Sequence, residues 1–99
     1  MGADDRPEYV ILSPCTTSRT MEMRTKAKLD LNKAERELSR DHEIAANTSI
    51  FLSFLHQGKQ FTLYSSGKIV IKEVDSNQGK PLLLDVFDIL KSRGCLIES

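Results

Sequence analysis

The sequence predicts an α+β fold, a twisted antiparallel β-sheet with two helices packed on one face. Three observations predict it. Two β-rich runs, Gln60-Phe-Thr-Leu-Tyr64 and Ile69-Val-Ile-Lys-Glu-Val74, flank Ser65-Ser66-Gly67-Lys68 as the arms of a hairpin. A charged stretch at 30–40 carries Leu31, Ala34 and Leu38 at helical spacing. A wide apolar stripe, Leu82, Leu83, Val86, Phe87, Ile89 and Leu90, follows Pro81.

Taken in order, residues 1–7 hold two aspartates, Arg6 and Pro7, and read as a flexible lead-in. Tyr9-Val-Ile-Leu12 is a short strand closed by Ser13-Pro14. Residues 15–20 are small and polar, a turn or a bulged strand edge. From 21 to 29 the chain alternates, with Met21, Met23, Thr25, Ala27 and Leu29 on one side and Glu22, Arg24, Lys26 and Lys28 on the other. That period of two favours one half-buried strand with a mostly basic outer side. The competing reading is a helix, because Met, Glu, Arg, Lys and Ala are good helix formers.

Asp30 or Asn32 can cap the helix that follows, its oxygen accepting from free amides of the first turn. Residues 41–47 read as a connection or a ragged extra turn. Ser49-Ile-Phe-Leu-Ser-Phe-Leu-His56 is a nearly continuous apolar run, a central strand, and Gln57-Gly58-Lys59 turns the chain back. Phe61 and Leu63 then share one face, with Thr62 and Tyr64 on the other. After Gly67, which suits a positive-φ turn position, Ile69 and Ile71 continue the apolar face while Val70 and Lys72 take the open one. This gives a three-strand antiparallel meander. Residues 75–80 read as a loop and Pro81 as the first helical position. Asp85 falls toward the positive end of that helix, Lys91 and Arg93 toward the negative end, and Gly94 caps it. The expected core is Leu31, Leu38, Leu63, Ile69, Ile71, Leu83, Val86, Phe87 and Leu90. One domain spans 8–96, with a tail at 97–99 and no internal repeat.

Composition bounds the function. The chain has 99 residues, 39% hydrophobic and 28% charged, ordinary for a globular domain with one modest core. Lys+Arg and Asp+Glu are 14 each, so bulk charge draws the protein to neither nucleic acid nor membrane. No apolar run reaches membrane-span length, and the start is acidic where a signal peptide is basic, which predicts a cytoplasmic protein with no membrane partner. Cys15 and Cys95 lack C-x-x-C spacing and are expected as free thiols.

The order strand, helix, strand meander, helix resembles one repeat of the TATA-box-binding protein family. The match runs over roughly residues 29–96, through Leu29-Asp-Leu31 opening a helix, Thr62-Leu-Tyr-Ser-Ser-Gly-Lys-Ile-Val70, and a long helix ending near Gly94. The resemblance implies a curved sheet whose open face grips the DNA minor groove, lined here by Thr62, Tyr64, Val70 and Lys72. Tyr64 stands where the family often has a Phe that wedges into a base step. Asn47 occupies the place of the partner Phe, Lys72-Glu73 replaces a Thr-Gly pair, and the stretch before the first helix is longer. With one repeat in the chain, a full saddle requires a homodimer.

Other motifs point away from catalysis. Ser66-Gly-Lys68 lacks the first glycine of a P-loop, and Ile69 stands where Ser or Thr would hold magnesium. His42 and His56 have no ligand-spaced partners, His42 reading as a surface residue and His56 as a strand end, so no metal or cofactor is expected. Cys15 has no adjacent His to make it a nucleophile. Arg24, Lys26, Lys28 and Lys72 form a basic constellation that would surround Tyr64 if strand 21–29 joins the sheet, a pattern suited to phosphates and a stacked base. Lysines that merely keep a sheet face and edge soluble give the same pattern. The first reading is thus a small non-enzymatic module binding DNA or RNA through Arg24, Lys26, Lys28, Thr62, Tyr64, Val70 and Lys72, as a homodimer. The alternative is a protein-interaction or assembly module using the sheet face or edge; an enzyme ranks last.

Overall fold

Alternation along the sheet strands decides which face is buried, and the computed structural model, which describes residues 9–12 and 20–97, follows it closely. Among these residues the strands are β1 (Tyr9–Leu12), β2 (Thr20–Thr25), β3 (Lys28–Leu29), β4 (Glu43–Asn47), β5 (Phe51–His56), β6 (Lys59–Tyr64), β7 (Lys68–Lys72) and β8 (Leu96–Ile97). The helices are α1 (Leu31–Leu38) and α2 (Ser76–Ser92). Six strands form one antiparallel sheet in the order β1-β2-β7-β6-β5-β4, and β3 pairs with β8 in a separate two-stranded ribbon.

The odd-numbered residues of β2, β6 and β7 and the even-numbered ones of β5 point to the helices. Met21, Met23, Phe61, Leu63, Ile69, Ile71, Leu52 and Phe54 are all at 1% exposure or less, in one cluster with Leu31, Ala34, Leu38, Leu83, Val86, Phe87 and Leu90. Every expected core residue is in it. Each such side chain contributes about 1.5–3 kcal/mol of burial, which is what fixes both helices on one face.

The turns follow their chemistry. Gln57 and Gly58 both have positive φ, 52° and 79°, making the two-residue β5–β6 turn whose twist suits a hairpin. Gly67, at φ 105°, closes the β6–β7 loop with its amide donating to the Tyr64 carbonyl at 2.9 Å. Asp30 caps α1, accepting from the Lys33 amide at 3.1 Å. The C-terminus of α2 ends in a Schellman arrangement: Cys95 N–H donates to Leu90 O at 2.9 Å and Gly94 N–H to Lys91 O at 3.2 Å, with Gly94 at φ 72°.

The structure departs from expectation at four places. The stretch 41–47 is not a connection: Glu43–Asn47 pairs with β5 and makes the meander four-stranded. Its residues are mostly exposed on an edge strand, so there is no buried alternation to read. The strand expected over 21–29 stops at Thr25. There the Thr25 amide donates to Gly67 O at 2.9 Å, the chain crosses the β6–β7 loop, and Leu29 N–H donates to Ser65 O at 3.1 Å before β3 joins β8. Helix α2 begins at Ser76, because Asp75 caps it by accepting from Gln78 N–H at 2.8 Å, and Pro81 lies inside it. Asn77 and Pro81 are both exposed, where water can replace the donor that proline lacks. Ile97, counted as tail, belongs to β8. The lead-in, the Ser13-Pro14 strand end and Cys15 lie outside the described residues.

Candidate functional site

Two groupings of polar side chains stand apart from the core, one on the sheet face away from the helices and one beside α2. On the open face the register builds a cross-strand row. Val10 pairs with Arg24, Arg24 with Lys68, and Tyr64 with Phe51, while the β6–β7 loop sets Lys68 beside Tyr64. The Lys68 ammonium lies 4.7 Å from the Tyr64 ring centroid, a cation–π contact, and the Phe51 and Tyr64 rings are 6.2 Å apart. Arg24 is exposed and its Nε donates to Glu22 at 2.6 Å. Arg24 also lines a pocket of about 370 Å³ with Thr25, Ser66, Gly67 and Lys68. Two cations, a hydroxyl and a glycine backbone around a concavity of that size can accept an anion.

Of the sequence-derived candidates, Arg24, Tyr64, Val70, Lys72 and Thr62 share this face. Thr62 lies deep in it, at 8% exposure, and its hydroxyl is engaged with Ser53 Oγ at 3.0 Å. Lys26 falls in the crossing after β2, and Lys28 in the β3–β8 ribbon. Both leave the sheet row because the strand ends at Thr25. Lys68, which the sequence places in the turn, opens β7 and joins this row. Its signal was available, since the alternation that opens Val70 and Lys72 also opens Lys68.

The second grouping unites the two histidines. The β4–β5 register, Glu43 against Leu55, sets His42 beside His56. His42 Nε2 is 2.8 Å from His56 Nδ1, with the ring centroids 5.0 Å apart and the planes inclined by 26°. His42 Nδ1 bonds Asp41 Oδ1 at 2.7 Å, and His56 Nε2 bonds Asp85 Oδ2 at 2.9 Å. Arg93 grips Asp41 with two donors, at 3.1 and 2.8 Å, and donates to the Glu37 carbonyl at 2.9 Å. The Arg93 fork, then the His42 hydrogen bond, hold the Asp41 carboxyl far below the usual carboxylate range, and Asp41 in turn raises Arg93. His42, read as a surface residue, has a side chain only 9% exposed. Asp85 lies mid-helix, not at the helix start. The pairing was illegible because β4 was read as a connection.

Cys95 is a free, buried thiol whose pKa burial pushes up, the opposite of an activated nucleophile. Among the described residues no group of three His, Cys, Asp or Glu is placed to hold a metal ion, and no helix is long and apolar enough to cross a membrane. Comparisons with family models, with curated proteins and with solved structures return no match.

Proposed function

We propose that the protein is a small binding module that takes nucleic acid, DNA or RNA, on the open face of its sheet. One observation carries this reading: Arg24, Lys68, Tyr64 and Phe51 form a continuous row beside a pocket that Arg24 and Lys68 line. A phosphate between Arg24 and Lys68, near the Ser66 hydroxyl, would draw the ammonium off the Tyr64 ring and leave the ring free to stack on a base. Lys72 extends the positive edge along β7. Lys26 and Lys28 add charge beyond the β6–β7 loop. The likeness of Thr62–Val70 to a TATA-box-binding protein repeat supports the same face, with Tyr64 as the aromatic. Binding of this kind is weak and electrostatic, with Kd on the order of 10⁻⁴–10⁻⁶ M at physiological salt.

Fluorescence anisotropy with a labelled oligothymidylate checks it. Arg24→Glu with Lys68→Glu is expected to weaken binding at least about tenfold and to flatten the salt dependence by roughly 1.4 log units per log unit of salt, two phosphate contacts at ~0.7 each. Equal binding by wild type and variant would end the reading.

A protein-interaction module is the second reading. It is favoured by Val10, which is 54% exposed at the end of the same row. β1 and β4 are the sheet edges, so a homodimer extending the sheet would join there. Sedimentation with and without oligothymidylate separates the cases: a dimer that forms alone and takes up no oligonucleotide favours the second reading.

A further inference from the structure

Three hydrogen bonds run in series through the two histidine rings: Asp41 Oδ1 to His42 Nδ1, His42 Nε2 to His56 Nδ1, and His56 Nε2 to Asp85 Oδ2, at 2.7, 2.8 and 2.9 Å. Each needs one proton between its heavy atoms, because two lone pairs facing each other at that distance repel. Two neutral imidazoles supply only two protons. The chain therefore needs a third, and the count is the same whether that proton sits on a ring or on a carboxylate. The Arg93 fork holds Asp41 ionised, and Asp85 Oδ2 also accepts from the Gln57 amide at 3.3 Å, which leaves the third proton to the rings.

We propose that the native protein holds this proton as a shared imidazolium–imidazole pair, and that the pair is a pH-sensitive latch closing the start of β4 onto the end of β5 beside α2. Both ring side chains are 9% exposed, so water cannot readily take over a broken link. Glu37 and Arg40, which line a pocket with Asp41 and Arg93, pair with each other at 3.5 Å. Asp41 comes from the loop after α1, and Asp85 from the middle of α2. Arg93, just past α2, is committed to Asp41. Phe54 and Phe61 of β5 and β6 present their rings edge to face at 5.6 and 5.8 Å. Lys59, opposite His56 in register, sends its ammonium to the Glu73 carbonyl at 3.0 Å, and Glu43, at the start of β4, is exposed. Two carboxylates thus face the pair, and the guanidinium beyond them is already neutralised. Loss of the third proton sets His42 Nε2 and His56 Nδ1 lone pair to lone pair. The rings must then part, and the start of β4, an edge strand, loses its side-chain link to the end of β5, while Arg93–Asp41 and His56–Asp85 still tie each side to α2.

The sign of the pH dependence follows from counting. The two histidines of the unfolded chain hold one proton between them at about pH 6.5. Above that pH the native chain holds more protons than the unfolded one, so stability falls as pH rises. Below it the unfolded chain takes up a second proton and stability falls as pH drops. The folding constant should therefore peak near pH 6.5 and decline by up to about tenfold per pH unit on the alkaline side until the latch opens. Urea unfolding of the full chain from pH 5.5 to 8, with ¹⁵N spectra of the histidine rings recorded in parallel, tests the latch. The expected result is three ring N–H protons over the two residues at pH 7, nitrogen–nitrogen coupling between His42 and His56, and faster amide exchange in β4 once the third proton is lost. His56→Gln should remove the alkaline decline. Two neutral rings with two protons at pH 7, or a folding constant that is flat or rising from pH 6.5 to 8, would overturn the proposal. If the variant does not fold, the wild-type spectra alone decide.

Discussion

Gly67 sits where two chain crossings meet, and one missing Cβ makes both possible. At φ 105° it lies in a region that L side chains rarely adopt, and a Cβ there would stand 2.5 Å from Ala27 O and 2.8 Å from Thr25 Oγ1. Backbone oxygen cannot move aside as a flexible side chain can. Gly67→Ala is expected to destabilise the fold by about 1–3 kcal/mol, read as a lower urea midpoint at unchanged m-value. It should also disturb the Arg24–Lys68 pocket, of which Gly67 is part of the wall. At this scale the turn glycine and the outward side chains Tyr64, Val70 and Lys72 were legible from alternation alone. Thr62 was legible in its face but not in its partner, because the Ser53 hydroxyl that engages it lies on the neighbouring strand. The histidines were illegible for a similar reason. Fourteen residues separate them, and only the β4–β5 register brings His42 to His56.

At the scale of elements, caps decide boundaries that hydrophobic spacing leaves open. The stripe from Leu82 to Leu90 locates α2 but not its start. Asp75, accepting from Gln78 N–H, moves that start five residues ahead of Pro81. The added turn is anchored by packing, since Gly79 lies so close to β2 that a Cβ would clash with Met21 Sδ and Val74 Cγ2. Asp75→Ala is expected to cost about 0.5–2 kcal/mol, and amide exchange should speed up first at Gln78 and Gly79, leaving the Schellman end at Gly94 and Cys95 protected. The meander from Phe51 to Lys72 was readable because its buried face alternates with its open one. β4 and the β3–β8 ribbon were not, since short strands at exposed edges carry no such alternation and owe their existence to partners elsewhere in the chain.

Across the whole molecule, equal totals of acidic and basic residues conceal an uneven surface. Helices cover one sheet face and seal the core, and the other face carries a mixed apolar and basic row ending at the β6–β7 loop. The fold class was legible because burial is written in the spacing of apolar residues. Function was less so. A row such as Arg24–Lys68–Tyr64 is assembled across three strands, from residues that look like ordinary surface when read one at a time. The same assembly makes a specific, mappable claim. Titrating ¹⁵N-labelled protein with an oligothymidylate at low salt, followed by amide chemical shifts, tests it most directly. Saturable shifts are expected, concentrated at Arg24, Tyr64, Ser66, Gly67, Lys68 and Phe51 and reversed by added salt. No shifts at millimolar oligonucleotide, or shifts confined to α1 and α2, would contradict it.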